Sequence, residues 1–326
     1  MSNTIKRIAV FTSGGDAPGM NAAVRAVVRT GGYHDLHVYG IYEGYEGMIH
    51  GNIRRLEKSD VANIIHTGGT RLKTARSEAF RTKEGREMAY ETLMAHDIDA
   101  CVAVGGDGTY TGAKIFTETY DIPFIGLPGT IDNDIYGTDY TIGFDTAINT
   151  AVEAIDKIRD TADSHNRLFF IEVMGRHAGY IALHTGIGTG AGSIFLPETE
   201  TDLDKFVKQL QLSSRRKKLF NMVVVAEGNQ NGDAMQLAKY IEDKYDISSK
   251  VTIIGHLQRG GSPSAFDRLL ASRLGYKAVT ALLEGEKNIA IGLKNQEVSY
   301  TSFEDAIKKK KSMDQDLVAM SNILSL

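Results

Sequence analysis

Residues 7–30 read RIAVFTSGGDAPGMNAAVRAVVRT. A β-rich apolar run over 7–13 leads through a Gly-Gly-Asp-Ala-Pro-Gly turn into a helical pattern over 20–30. An apolar run without clean alternation suits a strand buried on both faces. A strand followed at once by a helix is the unit of a parallel α/β sheet. The same sentence is written again along the chain. Strand-like runs fall at 37–42, 100–104, 123–127, 168–173, 221–226 and 251–255. Helical patterns over 84–95, 110–119, 146–161, 203–213, 234–244 and 265–283 separate them. The alternation predicts an α/β fold with mainly parallel sheets, whose ligands sit at the carboxyl ends of the strands. The residues just after each strand therefore carry the functional information.

Composition narrows the class. The chain has 326 residues, enough for two domains with sizeable cores. Lys and Arg number 37 against 41 Asp and Glu, a formal charge of −4, which gives no overall electrostatic case for nucleic acid or an anionic membrane. The single cysteine, Cys101, excludes an internal disulfide and a cysteine-based zinc cluster, fits a reducing compartment, and reads as an inert core thiol. His34, His37, His50 and His66 have no paired metal-ligand spacing. The opening run reaches glycines too soon for a signal-peptide core. No apolar run approaches the roughly 18 residues that span a bilayer, so a cytoplasmic location is expected. Walker A, GxGxxG, HExxH and GxSxG are absent, which weighs against P-loop NTPases, simple Rossmann dehydrogenases, zincins and α/β-hydrolases.

Three strand ends combine glycine with carboxylate. The first carries Gly14, Gly15 and Asp16 ahead of a helix, where backbone N–H groups and the helix dipole favour phosphate. The second carries Gly105-Gly106-Asp107-Gly108-Thr109. One Asp there suits Mg²⁺, which takes one or two carboxylates plus phosphate oxygens and water; the ordinary alternative is a helix cap. The third carries Thr130-Ile131-Asp132-Asn133-Asp134. One of its carboxylates can accept a proton from a hydroxyl and the other can help hold a metal; the ordinary alternative is an Asp/Asn turn. Cations join them: Arg76, Arg167 before a strand, Arg176 in Met174-Gly175-Arg176, and His256 and Arg259 in GHLQRGG. Arginine forks match phosphate geometry. This is the equipment of phosphoryl transfer, where catalysis is positioning and charge stabilisation. The four-lysine run at 308–311 reads as a solvated helix face.

Together the blocks TSGGDAPGMNAAVR, GGDGT, PGTIDND, GTDYTIGFDTA, EVMGR and GHLQRGGSPSAFDR resemble the bacterial ATP-dependent 6-phosphofructokinase family, in its order and over nearly the whole chain. The resemblance implies a glycolytic kinase that phosphorylates fructose 6-phosphate at its 1-hydroxyl with Mg²⁺ and ATP. It implies that Asp132 is the base, that Arg176 steadies charge on the moving phosphoryl group, and that Thr130 assists. Gly15, Arg76, Ser77, Gly106, Asp107, Gly108 and Thr109 match nucleotide positions, with Asp107 and Asp134 as metal ligands. Met174, Gly175, Arg176, Glu227 and His256 match sugar positions. Arg167, Arg259 and Lys250 match ligands of the 6-phosphate, Lys250 standing where Arg is usual and losing the bidentate fork. Arg167 is expected to reach across a subunit interface of a homotetramer, a dimer of dimers.

Pyrophosphate-dependent relatives carry Asp where this chain has Gly108 and Lys where it has Gly129, so ATP is the expected donor. A pyrophosphate enzyme, a kinase of another sugar phosphate and a non-catalytic sugar-phosphate or nucleotide sensor are the alternatives. Retention of Asp132, Asp107 and Arg176 argues against the sensor. Arg25, Arg29, Lys58, Arg159, Arg216 and Lys218 match or replace the cations of an effector site for ADP or phosphoenolpyruvate. Gly192 and Phe220 stand where Glu and His are usual, so altered control is expected. The implied architecture is two three-layer α/β domains with the active site in the cleft between them. Residues 1–142 and 256–306 would bind ATP, and residues 143–255 and 307–326 would bind the sugar phosphate.

Overall fold

The opening run forms β1 (Arg7–Thr12) and passes through the glycine turn into α1 (Met20–Tyr33). The structure is a computed structural model and describes residues 5–165, 167–215 and 221–324. The chain continues through β2 (His37–Ile41), α2 (Gly44–Ile49), β3 (Ile53–Leu56), α3 (Lys83–Ala95), β4 (Ala100–Gly105), α4 (Asp107–Thr117) and β5 (Phe124–Pro128). Then follow α5 (Phe144–His165), β6 (Leu168–Val173), α6 (Tyr180–Gly188), β7 (Ser193–Phe195), α7 (Leu203–Arg215), β8 (Asn221–Ala226), α8 (Ala234–Tyr245) and β9 (Ser249–Ile253). The last elements are α9 (Ala265–Leu283), β10 (Ile289–Lys294), β11 (Glu297–Ser302), α10 (Phe303–Lys308) and α11 (Gln315–Leu324).

These elements form two units. The first is Met1–Ile131, Ile135–Thr146 and Arg259–Lys311; the second is Asp132–Asp134, Ala147–Gln258 and Ser312–Leu326. The sequence places the breaks after 142, 255 and 306; the units break a few residues later, and Asp132–Asp134 groups with the second. The first break falls inside α5 because buried Asp267, in the first unit, holds the start of that helix. Its carboxylate accepts from the backbone N–H groups of Gly143 (2.9 Å) and Thr146 (2.8 Å) and from the Thr146 hydroxyl.

The first unit is built on a seven-stranded sheet in the order β11-β10-β5-β4-β1-β2-β3. It is parallel except at its edges, where β3 and β11 run antiparallel. On one face Ala9, Phe11, Cys101, Ala103 and Phe124 pack with α2, α3, α4 and α10. On the other, α1 and α9 cross closely: a Cβ at Gly275 would meet the Ala23 carbonyl at 2.7 Å, so glycine permits the contact. Burial pushes the Cys101 thiol well up, as an inert core thiol requires. The second unit has an all-parallel sheet in the order β7-β8-β6-β9. Phe170, Val223 and Val225 pack with Phe206, Leu210 and Leu237 of α7 and α8. On the opposite face the Ile194 side chain of β7 packs against Gly186 of α6. Two α/β units with mainly parallel sheets match the expected class.

The differences have local causes. α4 starts at Asp107, ahead of the predicted 110, because the Gly106 carbonyl accepts from Thr109 N (2.9 Å) and Tyr110 N (3.1 Å). The β10–β11 hairpin is unannounced: its turn is Asn295-Gln296, both left-handed at φ 51° and 66°, where Asn-Gly is the usual signal. The apolar helix α6 has no polar face to give it a period. Among the described residues no helix is long and apolar enough to cross a membrane.

Burial pushes the Asp267 carboxyl up to about 6, against the hydrogen bonds it accepts. A folded-state value raised from the ordinary carboxylate range adds stability that is full below about pH 4 and lost as pH rises through 6. The stability of the wild type relative to Asp267→Asn is therefore expected to rise on acidification from pH 7 to pH 4, by on the order of 2 kcal/mol. Urea melts of both proteins across that range read this directly. Parallel curves would show that Asp267 does not titrate there.

Candidate active site

In the seven-stranded sheet the chain runs from β1 to β2 on one side and to β4 on the other. The carboxyl ends of β1 and β4 thus flank the point where strand order reverses, the usual ligand position in open α/β sheets. Both ends carry the glycine loops. Ser13 N donates to Val104 O (2.9 Å), and a Cβ at Gly105 would lie 2.5 Å from Ser13 O. The strand ends can approach this closely only with glycine at 105. Gly14 is left-handed at φ 83°. Gly15 has a different reason: its Cβ would meet Arg259 Nη1 at 2.6 Å, and that nitrogen donates to Asp16 O at 3.1 Å. Arg259 is thus seated on the first glycine turn, in the first unit.

The second loop has no side-chain cap and leaves open space at Gly108. Gly106 is the N-cap of α4 without a side-chain hydrogen bond, so Asp107 is not the cap that the ordinary reading made it. Asp107 is exposed on the first turn of that helix. A Cβ at Gly108 meets nothing within 4 Å, while one at Gly129 meets Val104 Cγ1 at 2.9 Å and Met20 Cε at 3.0 Å. Open space for a donor therefore exists at Gly108. At Gly129 the Cβ direction is filled by protein, so packing accounts for that glycine and the donor argument rests on Gly108. Thr109 is buried, its carbonyl accepting from Tyr45 Oη at 2.6 Å. Buried Thr130 accepts at its carbonyl from Thr141 Oγ1 (2.6 Å). Arg76 is exposed. Ser77 is engaged locally: its hydroxyl accepts from Phe80 N (3.1 Å) and bonds the Glu46 carboxyl, holding that group below the usual range.

In the second unit, Asp132 is 2% exposed and its Oδ2 lies 3.6 Å from Arg176 Nε. Asp134 is half-buried two residues on. Arg176 is left-handed at φ 53°, a strained conformation for a non-glycine residue, and follows Gly175 at φ 145°. Its N–H donates to Glu227 Oε2 (3.2 Å), from the end of the neighbouring strand β8. A Cβ at Gly228 would meet Arg176 O at 1.9 Å, so that residue too must be glycine. Met174 N donates to Gln258 Oε1 (2.9 Å). Gln258 is fully buried in the 3₁₀ turn Gly255–Arg259, which also carries exposed His256. The carboxyl ends of β6, β8 and β9 thus gather Met174, Gly175, Arg176, Glu227 and His256.

Two predicted sugar-phosphate ligands lie elsewhere. Arg167 precedes β6, and Lys250 is the second residue of β9, paired with Phe169. β6 and β9 are parallel, so both cations sit at the amino end of the sheet. The length of β6, roughly 17 Å, separates that end from Arg176, further than one side chain spans. Among the effector cations, Arg25 and Arg29 lie one turn apart on α1, and Lys58 lies across Gly32 of the same helix. Burial, then the charge of Arg29, lowers the Arg25 pKa. Arg159 lies on α5 in the second unit, 4.0 Å from Asp156. Arg216, Lys218 and Phe220 lie outside the described residues. Gln258 was missed by sequence reading: an uncharged residue inside a glycine-rich block gives no signal until its burial is known.

Glycine loops at a switch point, an exposed carboxylate on a helix start and a buried carboxylate beside an arginine define a phosphoryl-transfer enzyme. The family profile described as Phosphofructokinase matches residues 7–282. The ATP-dependent 6-phosphofructokinase 2 of Bacteroides thetaiotaomicron is 51% identical over 324 residues, 99% of each chain. Phosphofructokinase from Saccharomyces cerevisiae has a TM-score of 0.89 at 38% identity over 98% of this chain, which spans 48% of the yeast chain. A pyrophosphate-dependent phosphofructokinase from Marinobacter aquaeolei has a TM-score of 0.83 at 27% identity, covering 96% of this chain and 86% of its own. The chain belongs to the phosphofructokinase family.

Proposed function

We propose that the protein transfers the γ-phosphoryl group of ATP to the 1-hydroxyl of fructose 6-phosphate, giving fructose 1,6-bisphosphate and ADP in the cytoplasm. The observation that carries this reading is the buried Asp132 carboxylate with Arg176 Nε 3.6 Å away. A carboxylate beside a cation is placed to accept a proton, and the same cation can follow the charge as it moves to the phosphoryl oxygens. The likeness in fold to a pyrophosphate-dependent enzyme leaves the donor to local chemistry. Half-identity to an ATP-dependent relative and the open space at Gly108 support ATP.

The donor phosphates lie along the Gly14–Gly15 turn and residues 106–109, where the positive end of the α4 dipole favours anions. Arg76 and Ser77 complete that side. The residues fit Mg²⁺. Among the described residues no cluster of three or more His, Cys, Asp or Glu is placed to hold a metal, whereas exposed Asp107 offers the single carboxylate that suits an ion arriving with phosphate oxygens. Asp107 and Asp134 are the residues that would hold it, and it would offset phosphate charge. Asp132 takes the hydroxyl proton, with Thr130 alongside. Arg176 steadies the transferring group, Glu227 orients a sugar hydroxyl, and the Met174–Gly175 backbone shapes the pocket. His256 and Arg259 hold the 6-phosphate.

Arg167 and Lys250 serve that phosphate in a second copy, because the polarity of β6 and β9 removes both from the site of their own chain. This supports the homotetramer, a dimer of dimers. Arg25, Arg29 and Lys58 form the anion site for ADP or phosphoenolpyruvate, with Arg159 as a further cation. Gly192 offers no carboxylate there, so ADP activation is weak; a strong ADP response that Gly192→Glu leaves unchanged contradicts this.

Asp132→Ser is expected to lower kcat by about 10²- to 10⁴-fold while the KM for fructose 6-phosphate changes little, because the base acts in the transition state. Steady-state kinetics with a coupled readout of product measure both. A near-normal kcat would remove Asp132 from the role of base.

A further inference from the structure

We propose that Gln258 is a positioning residue of the reaction: its buried amide pins the start of the Met174–Arg176 turn and so keeps Arg176 beside Asp132. This rests on the roles given above to those two residues. Arg176 occupies a left-handed conformation at φ 53°, which is strained for a non-glycine residue. Such strain persists only where the surroundings over-determine it. Two hydrogen bonds do so here: Glu227 accepts from Arg176 N at 3.2 Å, and Gln258 accepts from Met174 N at 2.9 Å. Glu227 is exposed and has a sugar hydroxyl to serve. Gln258 is 0% exposed and touches no solvent, so its amide is free of any other demand.

The other half of the amide shows what the residue is kept for. The Met174 N–H is a donor, so Oε1 must face it. This leaves Nε2 buried with no hydrogen-bond partner. A buried unsatisfied donor is destabilising, so Gln258 holds the Met174 N–H at the cost of its own orphan. A positioning role and a merely structural one make different predictions for two near-isosteric replacements.

Gln258→Met removes the orphan donor and the acceptor together. The released Met174 N–H then replaces Nε2 as the orphan donor. The variant is expected to melt near the wild-type temperature, while kcat falls by about 10- to 100-fold because Arg176 is less well placed. The affinity for ATP, read by equilibrium titration, stays at the wild-type value. Gln258→Glu keeps an acceptor toward Met174 N but buries a charge. It is expected to melt lower than the wild type and to recover most of the kcat lost in Gln258→Met. Activity thus ranks wild type, Glu, Met, while thermal stability places Met close to the wild type and Glu last. If kcat follows thermal stability, or if Gln258→Met turns over at the wild-type rate, the proposal is overturned. Wild-type turnover of fructose 6-phosphate is the control: its absence overturns the functional reading and this inference together, whereas an active wild type with an equally active Gln258→Met overturns this inference alone.

Discussion

The second unit is organised around one ion pair, that of buried Asp132 with Arg176. Asp132 is 2% exposed, and an ionised carboxylate out of water is costly unless cations or hydrogen bonds meet it. Arg176 meets it at 3.6 Å, and the backbone reaches that position only by turning left-handed. The turn sets further demands. Gly175 precedes it at φ 145°, Gly228 makes room for its carbonyl, and Glu227 and Gln258 accept from its N–H groups. Four residues from three strand ends are thus tied to one ion pair, which explains why residues far apart in sequence share one small region.

The first unit solves a different problem, that of bringing two strand ends and a helix start together. Parallel strands make it possible, since β1 and β4 end side by side where strand order reverses. Gly105 lets the two ends touch, and Gly106 leaves the α4 start uncapped by any side chain. The same loop leaves Gly108 facing open space. Arg259 is seated on the Gly14–Asp16 turn, its Nη1 donating to Asp16 O. Electrostatics here comes from dipoles and cations on a rigid sheet, which suits a reaction whose catalysis is mostly positioning.

Much of this was legible because parallel α/β folds write their chemistry after each strand. The runs ending at Thr12, Gly105, Pro128 and Val173 are apolar, and the residues behind them are glycine, Asp and Arg. Less legible were elements without such contrast. β7 has three residues, α6 is mostly apolar, and the β10–β11 turn uses Asn295-Gln296 in place of a glycine signal. Three things needed coordinates. Gly129 and Gly108 look alike in sequence, yet protein fills the space at one and not the other. Arg167 and Lys250 share an end of the sheet only because β6 and β9 are parallel. Gln258 matters through burial and a single hydrogen bond, neither of which its residue type announces.

The central claim is that the protein moves a phosphoryl group from ATP to fructose 6-phosphate. The most direct measurement is formation of fructose 1,6-bisphosphate by the purified protein with Mg²⁺, with ATP or pyrophosphate as the sole donor. The account predicts turnover with ATP and none with pyrophosphate. Turnover with pyrophosphate would contradict the reading of Gly108, and a folded protein active with neither donor would contradict the assignment of the reaction.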